Sequence, residues 1–194
     1  GSGSSGGSVW LSSGFGSSSS SGDVLISTKN AGNSGVSGRL EFRSGTSSSG
    51  TTGQFLVNTG AATGGGGGSI RVCVGTGNSA RGGDVVLAAG DTTSIASGGS
   101  VYVSTGASAD TSSGAVRLFT ANSGVAGVSG SLSMFTGTAA NAPSGNIDIA
   151  TGNAANGSGG DVGLNVGSGV NNAGGDVVVT AGLSIHGGDV HVTA

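Results

Sequence analysis

Three aspartates and two histidines are the residues of this sequence whose types and spacing best suit metal chemistry. Asp161, Asp176 and Asp189 each sit in the run Gly-Gly-Asp-Val, near the C-terminal end of the chain. If the segments that carry them lie side by side as strands, their carboxylates come about 5 Å apart. A calcium ion would relieve the repulsion. The simpler interpretation is that each aspartate hydrogen-bonds its own backbone in a turn, so the three are weak calcium candidates and no metal site is assigned.

The other reactive groups do not assemble into a catalytic set. His186 and His191 could be neighbours, but no cysteine or glutamate accompanies them as a further metal ligand. Cys73 is the only cysteine, which excludes an intrachain disulfide and a cysteine metal cluster. No spacing of acid, base and nucleophile indicates an active site. We therefore expect no cofactor and no enzymatic activity.

A repeat of 15 or 16 residues runs through the whole chain, apart from a last interval of 13. Each repeat opens with a glycine, followed two and four positions later by a large apolar residue. The opening glycines are Gly7, Gly22, Gly38, Gly53, Gly68, Gly83, Gly99, Gly114, Gly130, Gly145, Gly160, Gly175 and Gly188. The apolar positions, here called the apolar stripe, hold Val9, Leu11, Val24, Ile26, Leu40, Phe42, Phe55, Val57, Ile70, Val72, Val85, Leu87, Val101, Val103, Val116, Leu118, Leu132, Met134, Ile147, Ile149, Val162, Leu164, Val177, Val179, Val190 and Val192.

The spacing of two places both stripe residues of a repeat on one face of a β-strand. A small residue stands six positions after the opening glycine, and a further glycine usually follows it; that glycine is interpreted as a turn residue with positive φ or a close backbone approach. One repeat is too short to bury its apolar face, whereas stacked repeats would bury it continuously. The sequence therefore predicts an all-β fold, a flattened parallel β-solenoid of about 12–13 coils of 15–16 residues. It would form a single domain over residues 1–194.

Both ends of the sequence fall inside the repeat, without a helix or charged segment as a cap. Solenoids protect their open edges with caps. We therefore expect a segment of a longer array or a protomer that stacks end to end. In this arrangement Ile147 lies inside and Asn153 on a return turn, so Ile147→Asp should destabilise the fold severely and Asn153→Asp should be nearly silent.

Composition narrows the range of partners. Glycine takes 45 positions and charged residues only 8%, yet mean hydropathy is +0.18, which is too apolar for an ordinary disordered linker. The net charge is −3, and the six basic residues form no run, so we expect no nucleic-acid partner. No apolar stretch is long enough for membrane insertion. Apolar patches at Trp10, Leu25, Leu56 and Val86 would face outward and could form lateral contacts.

The unit Gly-x-Val-x-Val-x-Thr-Gly resembles the Gly/Ser/Thr-rich β-solenoid repeats of large surface and extracellular proteins of microbes and algae. The resemblance covers nearly the whole chain and transfers no functional residues. It implies a structural, adhesive or fibre-forming rod located outside the cell or at the cell surface. Its expected partners are further copies of the chain, bound through uncapped ends or lateral apolar patches, or a surface or polysaccharide.

A second resemblance is to β-solenoid antifreeze proteins, whose coils are of similar length and whose flat face carries ranks of threonine. It implies ice binding by the return side of each coil, which is small and nearly uncharged. The candidate ice-facing residues are Thr46, Thr63, Thr76, Thr93 and Thr138. No outward column holds a sustained Thr-x-Thr ladder, so this function is the alternative to the structural one.

Overall fold

A computed structural model describes residues 6–170, 173–185 and 187–193. Within these residues there is no helix and no β-strand. The chain divides into two compact units, an N-terminal half (Gly1–Val101) and a C-terminal half (Tyr102–Ala194). The same local structure recurs in both halves, with the period of the sequence repeat.

Each repeat consists of an arm and a loop. The arm comprises the opening glycine and the six residues after it, as in 145–151, and the loop runs to the next opening glycine, as in 152–159. Every bend and turn in the described residues falls in a loop, and most lie 10 to 12 positions after the opening glycine. Small polar residues and glycine dominate the loops, and these residues tolerate tight turns.

A backbone hydrogen bond closes several of the loops at their base. The glycine that follows the arm accepts it through its carbonyl, and the next opening glycine donates it through its N–H. The N–H to carbonyl pairs are Gly22 to Gly14 at 3.2 Å, Gly99 to Gly90 at 2.9 Å, Gly114 to Gly106 at 3.1 Å and Gly188 to Gly182 at 2.9 Å. The Thr28 hydroxyl also donates to the carbonyl of Gly38 at 3.0 Å, and the Thr151 hydroxyl to that of Gly160 at 3.1 Å.

The opening glycine lies against the last residue of the preceding arm. A Cβ built on Gly83 would come 2.8 Å from Cγ1 of Val74, and one on Gly175 would come 3.0 Å from Cγ1 of Val166. Where the arm ends in threonine the contact is looser, as at Gly145, whose Cβ would lie 3.5 Å from Thr136. A side chain at position 83 or 175 would therefore need the neighbouring valine to move, and glycine allows the close approach.

The predicted parallel β-solenoid is wrong for the part of the chain that the structure describes. In a solenoid each backbone pairs with the backbone one coil away, here 15 or 16 residues along the chain. The backbone hydrogen bonds between described residues span only three to nine residues. Several repeats therefore close on themselves through their loops, and no sheet joins successive repeats in the described residues.

The interior predicted for the apolar stripe is also absent. No described residue is buried, and Ile147, predicted to lie inside, is 55% exposed. Asn153 is exposed as well. Without an interior to receive it, a charge at position 147 has no burial cost in the single chain, so the predicted severe destabilisation by Ile147→Asp loses its physical basis.

The glycines that follow the arms do not have the predicted backbone role. Among the described residues, positive φ occurs at Gly35, Gly50 and Gly187, which all lie further along the loops. A Cβ on a glycine directly after an arm, such as Gly152, would meet nothing within 4 Å. Several of these glycines instead accept the loop-closing hydrogen bonds through their carbonyl oxygens.

Gly16 gives a direct test of loop closure. A Cβ on Gly16 would lie 2.5 Å from the carbonyl oxygens of Ser19 and Ser20, whereas a Cβ on Gly14 would meet nothing. Backbone atoms cannot turn aside as a flexible side chain can, so Gly16→Ala is expected to open this loop and to expose the N–H of Gly22. Amide hydrogen exchange measured by NMR should show faster exchange at Gly22 in Gly16→Ala and unchanged exchange in the control Gly14→Ala. Equal rates in both variants would contradict the loop geometry.

Candidate interaction surface

The apolar stripe is the largest chemically uniform feature of the surface. From the second repeat onward, the residues two positions after the opening glycine are 50% to 65% exposed. The neighbouring apolar residues of opposite parity, among them Leu25 and Tyr102, are 69% to 91% exposed. The stripe residues four positions after the opening glycine are 50% to 91% exposed and overlap with that range, so both faces of the arm are open to solvent.

Side chains two positions apart in an arm lie on the same side. Glu41 forms ion pairs with both Arg39 and Arg43, the second at 3.4 Å. These three residues stand one, three and five positions after Gly38, between the stripe positions Leu40 and Phe42. The ion pairs join the three residues into a surface charge cluster. They also show that odd positions of this arm face away from the stripe.

The backbone of the arms has unused hydrogen-bonding capacity. In the described arms, no backbone N–H or C=O between the first and the fifth residue after the opening glycine makes a hydrogen bond to another described residue. Unpaired backbone groups beside an alternating apolar row are the features of an exposed sheet edge, which pairs readily with another chain. The arms therefore present both the apolar surface and the donors and acceptors needed for strand pairing.

The structure does not gather the predicted calcium candidates into a site. Among the described residues, no three histidine, cysteine, aspartate or glutamate side chains come together in a group that could hold a metal ion. The predicted separation of about 5 Å between Asp161, Asp176 and Asp189 assumed stacked coils. Because the described residues form no stacked coils, this prediction is wrong. Asp189 instead lies 3.7 Å from Nε2 of His191.

The remaining reactive groups are dispersed. Cys73 is a free, exposed thiol. His186, one of the two predicted metal-ligand candidates, lies outside the described residues. Asn156, the acceptor residue of the sequon Asn156-Gly157-Ser158, stands exposed in a loop. No cavity opens in the part of the chain that the structure describes.

The five candidate ice-facing threonines are all exposed but stand in different places of the repeat. Thr46, Thr76 and Thr138 lie eight positions after an opening glycine, and Thr63 and Thr93 lie ten positions after one. Thr63 and Thr93 fall in bends, whereas Thr46, Thr76 and Thr138 precede the bend of their loop. The loops therefore carry these threonines on separate turns of the chain, without the flat return sheet that the sequence predicts.

Comparisons with protein-family models, curated proteins and solved structures found no match. The candidate interaction surface therefore rests on the exposure and hydrogen bonding of this chain's own residues. In the described residues, no helix has the length and apolar character needed to cross a membrane.

Sequence reasoning missed the stripe as a surface because it placed these residues in an interior. The outward patches predicted from Trp10, Leu25, Leu56 and Val86 are exposed, as expected. The stripe residues are exposed too, so the arms that contain these patches, such as 22–28 and 53–59, offer apolar side chains on both faces. Periodicity alone could identify the stripe but could not show whether it packs within the chain or against another molecule.

Proposed function

We propose that this chain is a non-catalytic structural or adhesive protein, located outside the cell or at its surface, which works by associating with further copies of itself. The observation that carries the proposal is the exposure of the whole apolar stripe beside unpaired arm backbone. The Gly/Ser/Thr-rich repeat, which resembles those of extracellular surface proteins, supports the location and the structural role.

The surface area of the chain supports association. A compact monomer of 17.8 kDa would expose about 8,000 Å², and its unfolded chain about 26,000 Å². This chain exposes 19309 Å². The excess over a compact monomer is roughly 11,000 Å² by the same scaling, far more than the roughly 800 Å² per partner that a stable interface buries.

Energetics favour the same conclusion. Ordering a backbone costs about 1–2 kcal/mol per residue in conformational entropy. Burial of apolar area, at about 25 cal/mol per Å², is the main compensation. With no described residue buried, this compensation is missing in the single chain and becomes available when stripes of different copies pack together.

Sedimentation velocity and far-UV circular dichroism over a concentration series test this proposal. We expect monomers at low micromolar concentration, and larger species together with new β-sheet signal as the concentration rises. Negative-stain images of the concentrated sample should show elongated assemblies. A chain that stays monomeric, with an unchanged spectrum up to millimolar concentration, would overturn the proposal.

Ice binding is the second candidate, and the exposure of all five candidate threonines favours it. Because the threonines lie at two different places of the repeat, we expect thermal hysteresis of the purified chain to be no greater than that of a solution of equal osmolality. Measurement by nanolitre osmometry, with faceting of a single ice crystal as a second readout, checks this. Concentration-dependent hysteresis that Thr63→Leu and Thr93→Leu abolish would replace the structural function by ice binding.

A further inference from the structure

The two halves of the chain carry opposite charge. The N-terminal half, Gly1–Val101, holds five of the six basic residues and four of the nine acidic ones, a formal charge of +1. The C-terminal half, Tyr102–Ala194, holds one basic and five acidic residues, a formal charge of −4. The net charge of −3, which looks small and evenly spread, is therefore the sum of two unlike halves.

Ion pairing within the N-terminal half leaves cationic groups available there. Glu41 is shared between Arg39 and Arg43, and Asp84 is paired with Arg81 at 2.7 Å. Two further cations of this half, Lys29 and Arg71, have no ion-pair partner among the described residues. Both are exposed.

The C-terminal half offers the complementary anions. Asp148, Asp161 and Asp176 are exposed and have no ion-pair partner among the described residues. They also occupy the same repeat positions as basic residues of the other half. Asp161 and Asp176 correspond to Arg39, one position after the opening glycine, and Asp148 corresponds to Arg71, three positions after it.

We propose that the chain associates with a second copy by pairing the arms of one copy's N-terminal half with arms of the other copy's C-terminal half. This inference rests on the proposed self-association and specifies its arrangement. Arms that pair side by side lie about 4.8 Å apart and share their faces. The stripes then contact one another on one face. On the opposite face, a register shifted by eight repeats lays Arg39 of one copy beside Asp161 of the other, whereas a shift of five repeats lays Arg71 beside Asp148.

Pairing of like halves is disfavoured by the same charges. If like halves pair in parallel and in register, every charged residue lies beside its own copy, so Arg39 faces Arg39 and Asp161 faces Asp161. Like charges directly opposite each other destabilise a strand pair. The five acidic residues of the C-terminal half would have Arg117 as the one lysine or arginine of that half to offset them.

Two variants with the same change of total charge test the arrangement. Asp161 and Asp23 both follow an opening glycine, precede a stripe valine and are exposed. Asp161→Lys reduces the negative charge of the C-terminal half, so it should raise the dissociation constant for self-association of the 194-residue chain about threefold or more. Asp23→Lys makes the N-terminal half more positive, so it should lower the dissociation constant by a similar factor. Raising NaCl from 20 mM to 500 mM should weaken the wild-type association by screening the attraction.

The outcomes separate this inference from the proposed function. If the copies associate but both variants strengthen association equally, only the net charge matters and the arrangement is wrong. Oxidation of the assembled wild-type chain gives a second readout, because like-half pairing in register would bring two Cys73 residues within disulfide reach. Efficient Cys73–Cys73 cross-linking, or stronger association in high salt, would overturn the arrangement while self-association stands. A chain that stays monomeric at every concentration would overturn both the arrangement and the proposed self-association. Pairing of the two halves within one chain would give this same result.

Discussion

Replacing Ile147 and Val162 together by aspartate is expected to abolish self-association without changing the isolated chain. Both side chains belong to the apolar stripe and are about half-exposed in the single chain, at 55% and 56%. Packing against another copy would remove the remaining area from water. Full burial of an isoleucine or valine side chain stabilises by about 1.5–3 kcal/mol. Because about half of each side chain is already covered in the single chain, losing the two contributes about 1.5–3 kcal/mol, which is roughly tenfold to a hundredfold in the dissociation constant, and burying two aspartates would cost more.

Asn153→Asp with Ser168→Asp is the matched control for this pair. It adds the same two charges to the same two repeats, but eight positions after the opening glycine, in exposed loop residues. We expect its sedimentation profile over a concentration series to follow the wild type apart from a modest electrostatic shift. Equal loss of association in the stripe and loop variants would mean that added charge, and not the stripe, controls association. Loss in neither would show that the copies associate through another surface.

Calorimetry of the dilute, monomeric chain is expected to show no cooperative unfolding transition. A globular domain of this length would absorb about 140 kcal/mol at its midpoint, because unfolding takes up about 0.7 kcal/mol per residue near 60 °C. It would also show a heat-capacity increase of roughly 2.5 kcal/mol/K from the exposure of buried apolar surface. No described residue of this chain is buried, so unfolding has little apolar surface to expose.

The same experiment at high concentration supplies the contrast. Where sedimentation shows assemblies, an endotherm should appear, and its midpoint should rise with protein concentration, because association stabilises by mass action. The stripe variant Ile147→Asp with Val162→Asp should shift or remove this endotherm, while the loop variant should retain it. A sharp, concentration-independent endotherm in the dilute wild-type chain would contradict the open structure.

The exposed apolar stripe corrects the prediction, drawn from periodicity, that its residues lie inside a solenoid. The alternation of Ile147 and Ile149 correctly indicates which side of the arm is apolar, and the ion pairs of Glu41 show the opposite parity facing away from it. Alternation cannot specify the pairing partner. The same row of side chains suits the next repeat of its own chain or the arm of another molecule, and both satisfy the same pattern.

The sequence was less informative about how the loops are closed than about where they lie. The glycine-rich segments were predictable as turns, and the bends do lie there. The hydrogen bond from the N–H of Gly22 to the carbonyl of Gly14, which closes a repeat on itself, was not predictable. Glycine and serine tolerate many turn geometries, so their presence marks a turn without choosing its closure.

By itself, the sequence determined the repeat and the division of each repeat into an apolar arm and a polar loop. These properties depend on residue type and spacing alone. Only the tertiary structure decided that several repeats close locally, that the stripe faces solvent and where the chain divides into two halves of unequal charge. Pairing between distant residues depends on the balance of loop closure, backbone hydrogen bonding and apolar burial over the whole chain. No local pattern encodes that balance, and here it leaves the apolar stripe of Ile147 and its counterparts open for association with another copy.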